Sequence, residues 1–199
     1  PRYTRNDARL RGEAIFVRSW QAPSMTWGAS RLSEPLEVLR HLLGGGAGSR
    51  LHRALVETGL ALNAGAAYDG DSAGATDFDI SATPRRDVPL DRVEEAVAAT
   101  VKRLLDEGGP TEAEVQRSVR QMTAGALLAL DGLGAAPRMI GGALAIGLPI
   151  ETVEFWPQRM RAVTRDGVAE AARHVLGGMP SASGWLMPDG VTAPAEVRL

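Results

Sequence analysis

Residues 44–62 read GGGAGSRLHRALVETGLAL, and this run decides the fold. Three glycines close one helical pattern, because glycine at a helix C-terminus enters the left-handed region without a Cβ clash. Ser49 then opens a second helix with Leu51, Ala54 and Leu55 on its apolar face, and Gly59 stops it. An apolar strand follows at once. The unit is helix, glycine loop, helix, strand, and the rest of the chain is placed around it.

Upstream, Ser33 is expected to cap a helix with Pro35 in its first turn, and Leu36, Leu39, Leu42 and Leu43 mark its buried face. Residues 13–19 and 22–29 read as two strands, the second with Pro23 at its start. Residues 1–11 are polar and basic without a period, and read as an extended linker or a disordered terminus. Downstream, residues 60–68 and 75–83 read as an antiparallel strand pair joined at Asp69, Gly70 and Asp71. Phe78, Ile80 and Ala82 share one face, and Asp77 and Asp79 the solvated one.

From Leu90 the period turns helical, with Val93, Val97, Val101, Leu104 and Leu105 inward up to Asp106. Gly108, Gly109 and Pro110 break it. Thr111 and Glu114 form a capping box that starts a helix through Val115, Val119, Met122, Ala126 and Leu130. Gly132 and Gly134 interrupt it. Residues 135–146 form another helix, and close packing is the expected reason for Gly141 and Gly142. Residues 151–163 are amphipathic, with Val153, Trp156, Met160 and Val163 inward, and Pro157 bends or shortens them. Thr164 caps a helix over 166–176, and 183–187 is a last strand. The order is β-β-α-α-β-β, then four or five helices, then β. That is an α+β fold with a mixed or antiparallel sheet covered on one face by helices.

The 199 residues carry 22 basic and 24 acidic side chains, a net charge of -2, and no cysteine. The balance argues against nucleic acid, and the missing cysteines exclude disulfides, thiolate zinc sites and cysteine nucleophiles. No window is apolar enough for a transmembrane segment. His41, His52 and His174 have no histidine or carboxylate at metal-ligand spacing and read as structural or solvated, His41 and His174 near helix C-termini that favour a positive charge. The glycine loop lacks the lysine of a phosphate-binding loop and follows a helix, so a tight turn is favoured over an anion site. The carboxylates Asp69, Asp71, Asp77 and Asp79 are too sparse for a calcium loop. Trp20, Trp27, Trp156 and Trp185 read as core, with a domain-facing patch as the alternative for one or two of them. Residue by residue, no complete catalytic constellation is present.

From Gly44 to Gly70, with Ser49, Arg50 and Leu51 after the glycine turn and Gly59, Leu60 and Ala61 entering the strand, the sequence resembles the C-terminal domain of pitrilysin-type zinc metallopeptidases. These include the mitochondrial processing peptidases and bacterial relatives. The segments DFDISATPRRDVPLDRVEEAV, GPTEAEVQRSVRQMTAGAL, FWPQRMRAVTRDGVAEAARHVL and SGWLMP continue the likeness in order. The resemblance implies the processing-peptidase-like fold over 12–188, with 1–11 as the end of an interdomain linker and 189–199 as a polar tail. It also implies two homologous halves forming a clamshell around a peptide. The N-terminal half would carry zinc in an H-x-x-E-H motif, and this half would help hold the peptide substrate. A second family chain, in a homo- or heterodimer, is a further implied partner, and resemblance to exported relatives favours the periplasm. Many relatives carry an arginine and a tyrosine in a run like R-E-K-R-G-L-A-Y; here those positions are Val56 and Leu62. Arg50, Arg53 and Tyr68 are the polar candidates near the lost pair for facing substrate. The alternative is an interaction module that has lost catalysis and works with a separate zinc-bearing chain.

Overall fold

Leu36, Leu39 and Leu43 lie fully buried along one side of helix α1 (Ser33–Gly44), as their spacing requires. This computed structural model describes residues 1–10, 12–129 and 134–192. Five strands form one sheet: β1 (Arg2–Asn6), β2 (Ile15–Ala22), β3 (Ala61–Tyr68), β4 (Thr76–Pro84) and β5 (Ser181–Met187), in the order β1-β5-β2-β4-β3. The β1–β5 pair is parallel and the others antiparallel, so the sheet is mixed. One face is covered. Trp20 lies opposite Phe78, and Phe16 between Ala82 and Trp185, all buried. Along β4 the buried Phe78, Ile80 and Ala82 alternate with exposed Asp77 and Ser81.

The remaining helices are α2 (Leu90–Asp106), α3 (Glu112–Ala129), α4 (Ala135–Ala145), α5 (Glu151–Glu154), α6 (Trp156–Arg161) and α7 (Arg165–Ala172). The capping box forms as read: Thr111 N donates to Glu114 Oε2 at 2.8 Å and Glu114 N to Thr111 Oγ1 at 3.2 Å. Thr164 Oγ1 accepts from Gly167 N at 3.1 Å and caps α7. Pro157 does break the 151–163 pattern, standing in the first turn of α6 after the chain kinks at Phe155.

Several expectations are corrected. Residues 22–29 are not a strand, because β2 ends at Ala22, Pro23 has no N–H, and Gly28 turns the chain at φ 68°. Only a Ser24–Trp27 bridge remains there. Ser33 does not cap α1, since a 3-10 turn (Ser30–Leu32) precedes it and Ser33 is buried inside the first turn. No atom stands within 4 Å of a Cβ built on Gly141 or Gly142, so close packing does not explain those glycines. The SRL helix is wound over His52–Val56 as a π-helical turn, and Arg173–Gly177 after α7 likewise. Residues 2–6 are extended, as a linker would be, but they join the sheet. Arg2 Nη2 reaches the buried Glu94 of α2 at 3.0 Å, and Trp185 Nε1 donates to the same carboxylate at 3.1 Å. Leu130 and Gly132 lie outside the described residues, as do residues 193–199 of the tail.

A Cβ on Gly44 would overlap the backbone nitrogen of Ala66 in β3, whereas one on Gly48 would meet nothing within 4 Å. Gly44→Ala should therefore cost about 3 kcal/mol in chemical denaturation, as overpacking against rigid backbone does. Gly48→Ala should leave stability within about 0.5 kcal/mol of the parent chain. Equal effects of the two substitutions would refute the packing argument.

Candidate functional site

Arg50, just ahead of the π-helical turn, faces the α2–α3 junction. Arg50 Nε and Nη2 each donate at 2.9 Å to the two oxygens of Glu114, and Nη1 donates to Glu107 at 2.7 Å. Both partners of the forked pair are nearly buried, with side chains 12% and 11% exposed. Burial alone would raise the Glu114 carboxyl, but the Arg50 guanidinium and the Thr111 amide and hydroxyl hold it down at about 2. Arg53, one turn on, stands 3.8 Å from the same carboxylate and is half exposed. Arg50 thus fastens the SRL segment to the capping box, and Arg53 keeps a guanidinium open to solvent.

These arginines border a groove of about 970 Å³ that also includes Arg103, Arg117 and Arg165. Arg165 Nε donates to the Pro110 carbonyl and Nη2 to that of Gly108, both at 3.1 Å. Arg117 and Arg40 lie near His41, whose imidazole is pushed down by burial first and then by the two guanidiniums. The positive charge expected of a histidine at a helix C-terminus is therefore opposed here.

Tyr68 stands elsewhere. Its hydroxyl donates to the Pro23 carbonyl at 2.7 Å and its ring leans on Phe78. It borders a second cavity of about 380 Å³ with Glu37, Asp69, Asp71 and Trp156. Trp156 Nε1 donates to Glu37 Oε2 at 3.1 Å. Burial, with smaller contributions from Asp71 and Glu34, outweighs that hydrogen bond and pushes the Glu37 carboxyl up to about 7. Burial and Asp69 likewise raise Asp71. Arg159 Nε pairs with Glu34 at 2.6 Å beside them.

Arg50 and Arg53 thus share one cavity, and Tyr68 belongs to another. Glu37 escaped the sequence reading, its only signal being an acidic residue beside the Leu36, Leu39 and Leu43 stripe, and Trp156 was read as inward core rather than as the partner of a carboxylate. The Arg50–Glu114 pair spans 64 positions and has no local signal. Asp69 and Asp71 line the second cavity, while the exposed Asp77 and the half-buried Asp79 lie on the sheet face opposite Phe78 and Ile80. Val56 lies on the π-helical turn, and Leu62 is 54% exposed on β3. Among the described residues, no group of three or more His, Cys, Asp or Glu side chains is arranged to hold a metal, and no helix is long and apolar enough to cross a membrane.

Residues 11–122 match the family model described as the peptidase M16 inactive domain. No curated protein matches the sequence. Among solved structures, a protease from Helicobacter pylori superposes with a TM-score of 0.82 at 16% identity, over 94% of this chain and 44% of that one. The inactive peptidase domain of a proposed zinc protease from Bordetella parapertussis gives 0.76 at 18% identity, over 97% and 99%. A proposed zinc protease from Bordetella pertussis gives 0.75 at 18%, over 88% and 94%. This chain therefore spans less than half of the Helicobacter protein but nearly all of the two Bordetella chains.

Two substitutions test the electrostatics. Arg50→Ala should cost about 3 kcal/mol in urea denaturation by stranding a nearly buried carboxylate, and Arg50→Lys should recover less than half of that, lacking the fork. Full recovery by lysine would rule out the forked pair. For Glu37, the folded carboxyl at about 7 exceeds its ordinary 4.5. The folded chain then keeps a proton the unfolded chain releases, so stability falls as pH rises from 4.5 to about 7 and levels off above. Glu37→Gln keeps an acceptor for Trp156 and removes this titration. Its Tm should decline less than that of the parent chain between about pH 5 and about pH 7; parallel Tm curves would show that Glu37 does not titrate there.

Proposed function

The chain belongs to the peptidase M16 inactive-domain family, and from that premise we propose that it is the non-catalytic half of a zinc metallopeptidase, closing over a zinc-bearing N-terminal half and helping to bind peptide substrate. The observation that carries the reading is the family match across the SRL run and the capping box, residues 11–122. The sheet supports it: helices cover one face, and Asp77 and Ser81 lie exposed on the other. An extended peptide can also pair with a free sheet edge, which β3 and β1 supply. Zinc is assigned to the N-terminal half. The donor chemistry here agrees, since the family's H-x-x-E-H run is missing from the sequence.

Of the substrate-facing candidates, Arg53 and Tyr68 remain in the proposal as contacts from two separate cavities. Arg50 enters it as the residue that positions Arg53 on the π-helical turn, through its pairs with Glu107 and Glu114.

The second reading, an interaction module working with a separate zinc-bearing chain of the family, is favoured by Val56 and Leu62 standing where many relatives grip substrate. Apolar side chains there supply neither a cation nor a hydroxyl to a peptide backbone.

The test is metal analysis and peptide turnover. This chain alone should bind no stoichiometric zinc and cleave no unfolded peptide. Joined to its N-terminal half, it should raise turnover well above that of the half alone. One tight equivalent of zinc in this chain would sink the peptidase-half reading. Full activity of the N-terminal half without this chain would sink the substrate-binding role.

A further inference from the structure

We propose that the groove between the π-helical turn, α2 and the start of α3 is a docking site for an acidic polypeptide segment, held by the guanidiniums of Arg53, Arg103 and Arg117.

The groove is built from both sequence and fold. Ala96, Ala99 and Thr100 recur at three and four along α2 and give it a floor of small side chains, joined by Ala54 from the π-helical turn. Bulky residues there would fill it. Arg103 follows one turn beyond Ala99 on the same face of α2. Arg53 and Arg117 enter from the other two elements.

The charge is uncompensated. Five arginines line the groove against two glutamates, in a chain whose net charge is -2. Both glutamates are already committed to Arg50. Arg165 is occupied by the Gly108 and Pro110 carbonyls and by Asp166. Among the described residues no ion pair engages Arg103 or Arg117, and Arg53 has only the 3.8 Å approach to Glu114. The half-buried His41 lies beside this excess: burial first, then Arg40 and Arg117, push its imidazole toward the neutral form.

Guanidiniums take carboxylates and phosphates in forked pairs, so the ligand chemistry is anionic and planar. Size and lining select the source. At about 970 Å³ the groove is near the top of the ~300–1,000 Å³ range of ligand pockets, far larger than one phosphate needs. Among the described residues no aromatic side chain lines it, so the bases of a nucleic-acid strand would find no ring to stack on. A run of Asp and Glu side chains meets both conditions, with carboxylates on the arginine rim and backbone over the alanine floor. The site is a property of this chain alone and does not depend on the peptidase reading.

The experiment titrates this chain into a dye-labelled peptide rich in Glu and Asp and follows fluorescence anisotropy. A Gly/Ser peptide of equal length, a single-stranded oligonucleotide and inorganic phosphate serve as comparisons. The acidic peptide should bind, and the affinity should fall as salt rises toward ~0.5 M, as exposed charge pairs require. Arg103→Gln combined with Arg117→Gln should weaken it by roughly tenfold or more. Arg161→Gln, at an exposed position of α6 outside the groove, should not change it. Circular dichroism melting keeps a folding defect distinct from a binding defect. Unchanged binding by the folded double variant overturns the proposal, as does binding of the Gly/Ser peptide with equal affinity. Displacement of the acidic peptide by oligonucleotide or millimolar phosphate at equal charge concentration overturns its assignment to polypeptide.

Discussion

The last turn of α1 rests directly on the backbone of β3, with no side chain between them. Gly44 makes this possible, because its missing Cβ leaves room for Gly65 and Ala66. Helix–sheet contact at that distance fixes the height and direction of α1 over the sheet. The buried leucines of α1 join Phe16, Trp20 and Phe78 in one hydrophobic core. Gly46, at φ 106°, turns the chain away immediately afterwards. The π-helical turn can start only where that reversal delivers it, and with it Arg50. The small residues of β3, which alone look like a weak strand, are what the close approach demands.

Two glutamates illustrate how position decides charge. Glu114 sits where a guanidinium and a helix N-terminus both favour the anion, and its carboxyl is held at about 2. Glu37 is raised to about 7 by burial first and then by the nearby Asp71 and Glu34, against a single indole donor. Both arise from helix-forming segments of similar composition. The difference is made by the surroundings: Arg50, distant in sequence, holds Glu114 down, while burial raises Glu37 against the opposing hydrogen bond from Trp156. The helical layer is thus electrically uneven, with a basic groove at one end of the SRL unit and an acidic cavity beside the β3–β4 loop.

Much of the architecture was legible because its signals are local. The period of α2 marks both its ends, the capping box marks the start of α3, and Pro157 marks a break. The alternation of Phe78, Ile80 and Ala82 marks a half-buried strand. What escaped depends on distant partners. Residues 2–6 have no strand pattern of their own and become β1 because β5 offers an edge and Glu94 a buried charge. Residues 22–29 have strand composition but no free neighbour. The two π-helical turns have no sequence signature, since one extra residue per turn is set by how the segment must meet its surroundings. The candidate site followed the same rule. Arg50 and Arg53 were visible beside the glycine turn, but the carboxylates that sort them into a bolted and an open guanidinium lie beyond residue 106.

The strand order carries a consequence for how the molecule assembles. By residue 84 the chain has supplied β2, α1, β3 and β4, and this subset has every contact it needs to pair. The other side of β2 stays unpaired until residues 181–187 arrive, and β1 has no partner before then. During synthesis the β1 segment must therefore wait, unpaired, through almost the entire length of the domain. The final zipping of β5 between β1 and β2 closes a loop of well over a hundred residues, the kind of long-range pairing that makes a fold slow to complete. Until then β2 presents a bare edge, so the interval before closure is when this chain is most exposed to pairing with the wrong strand.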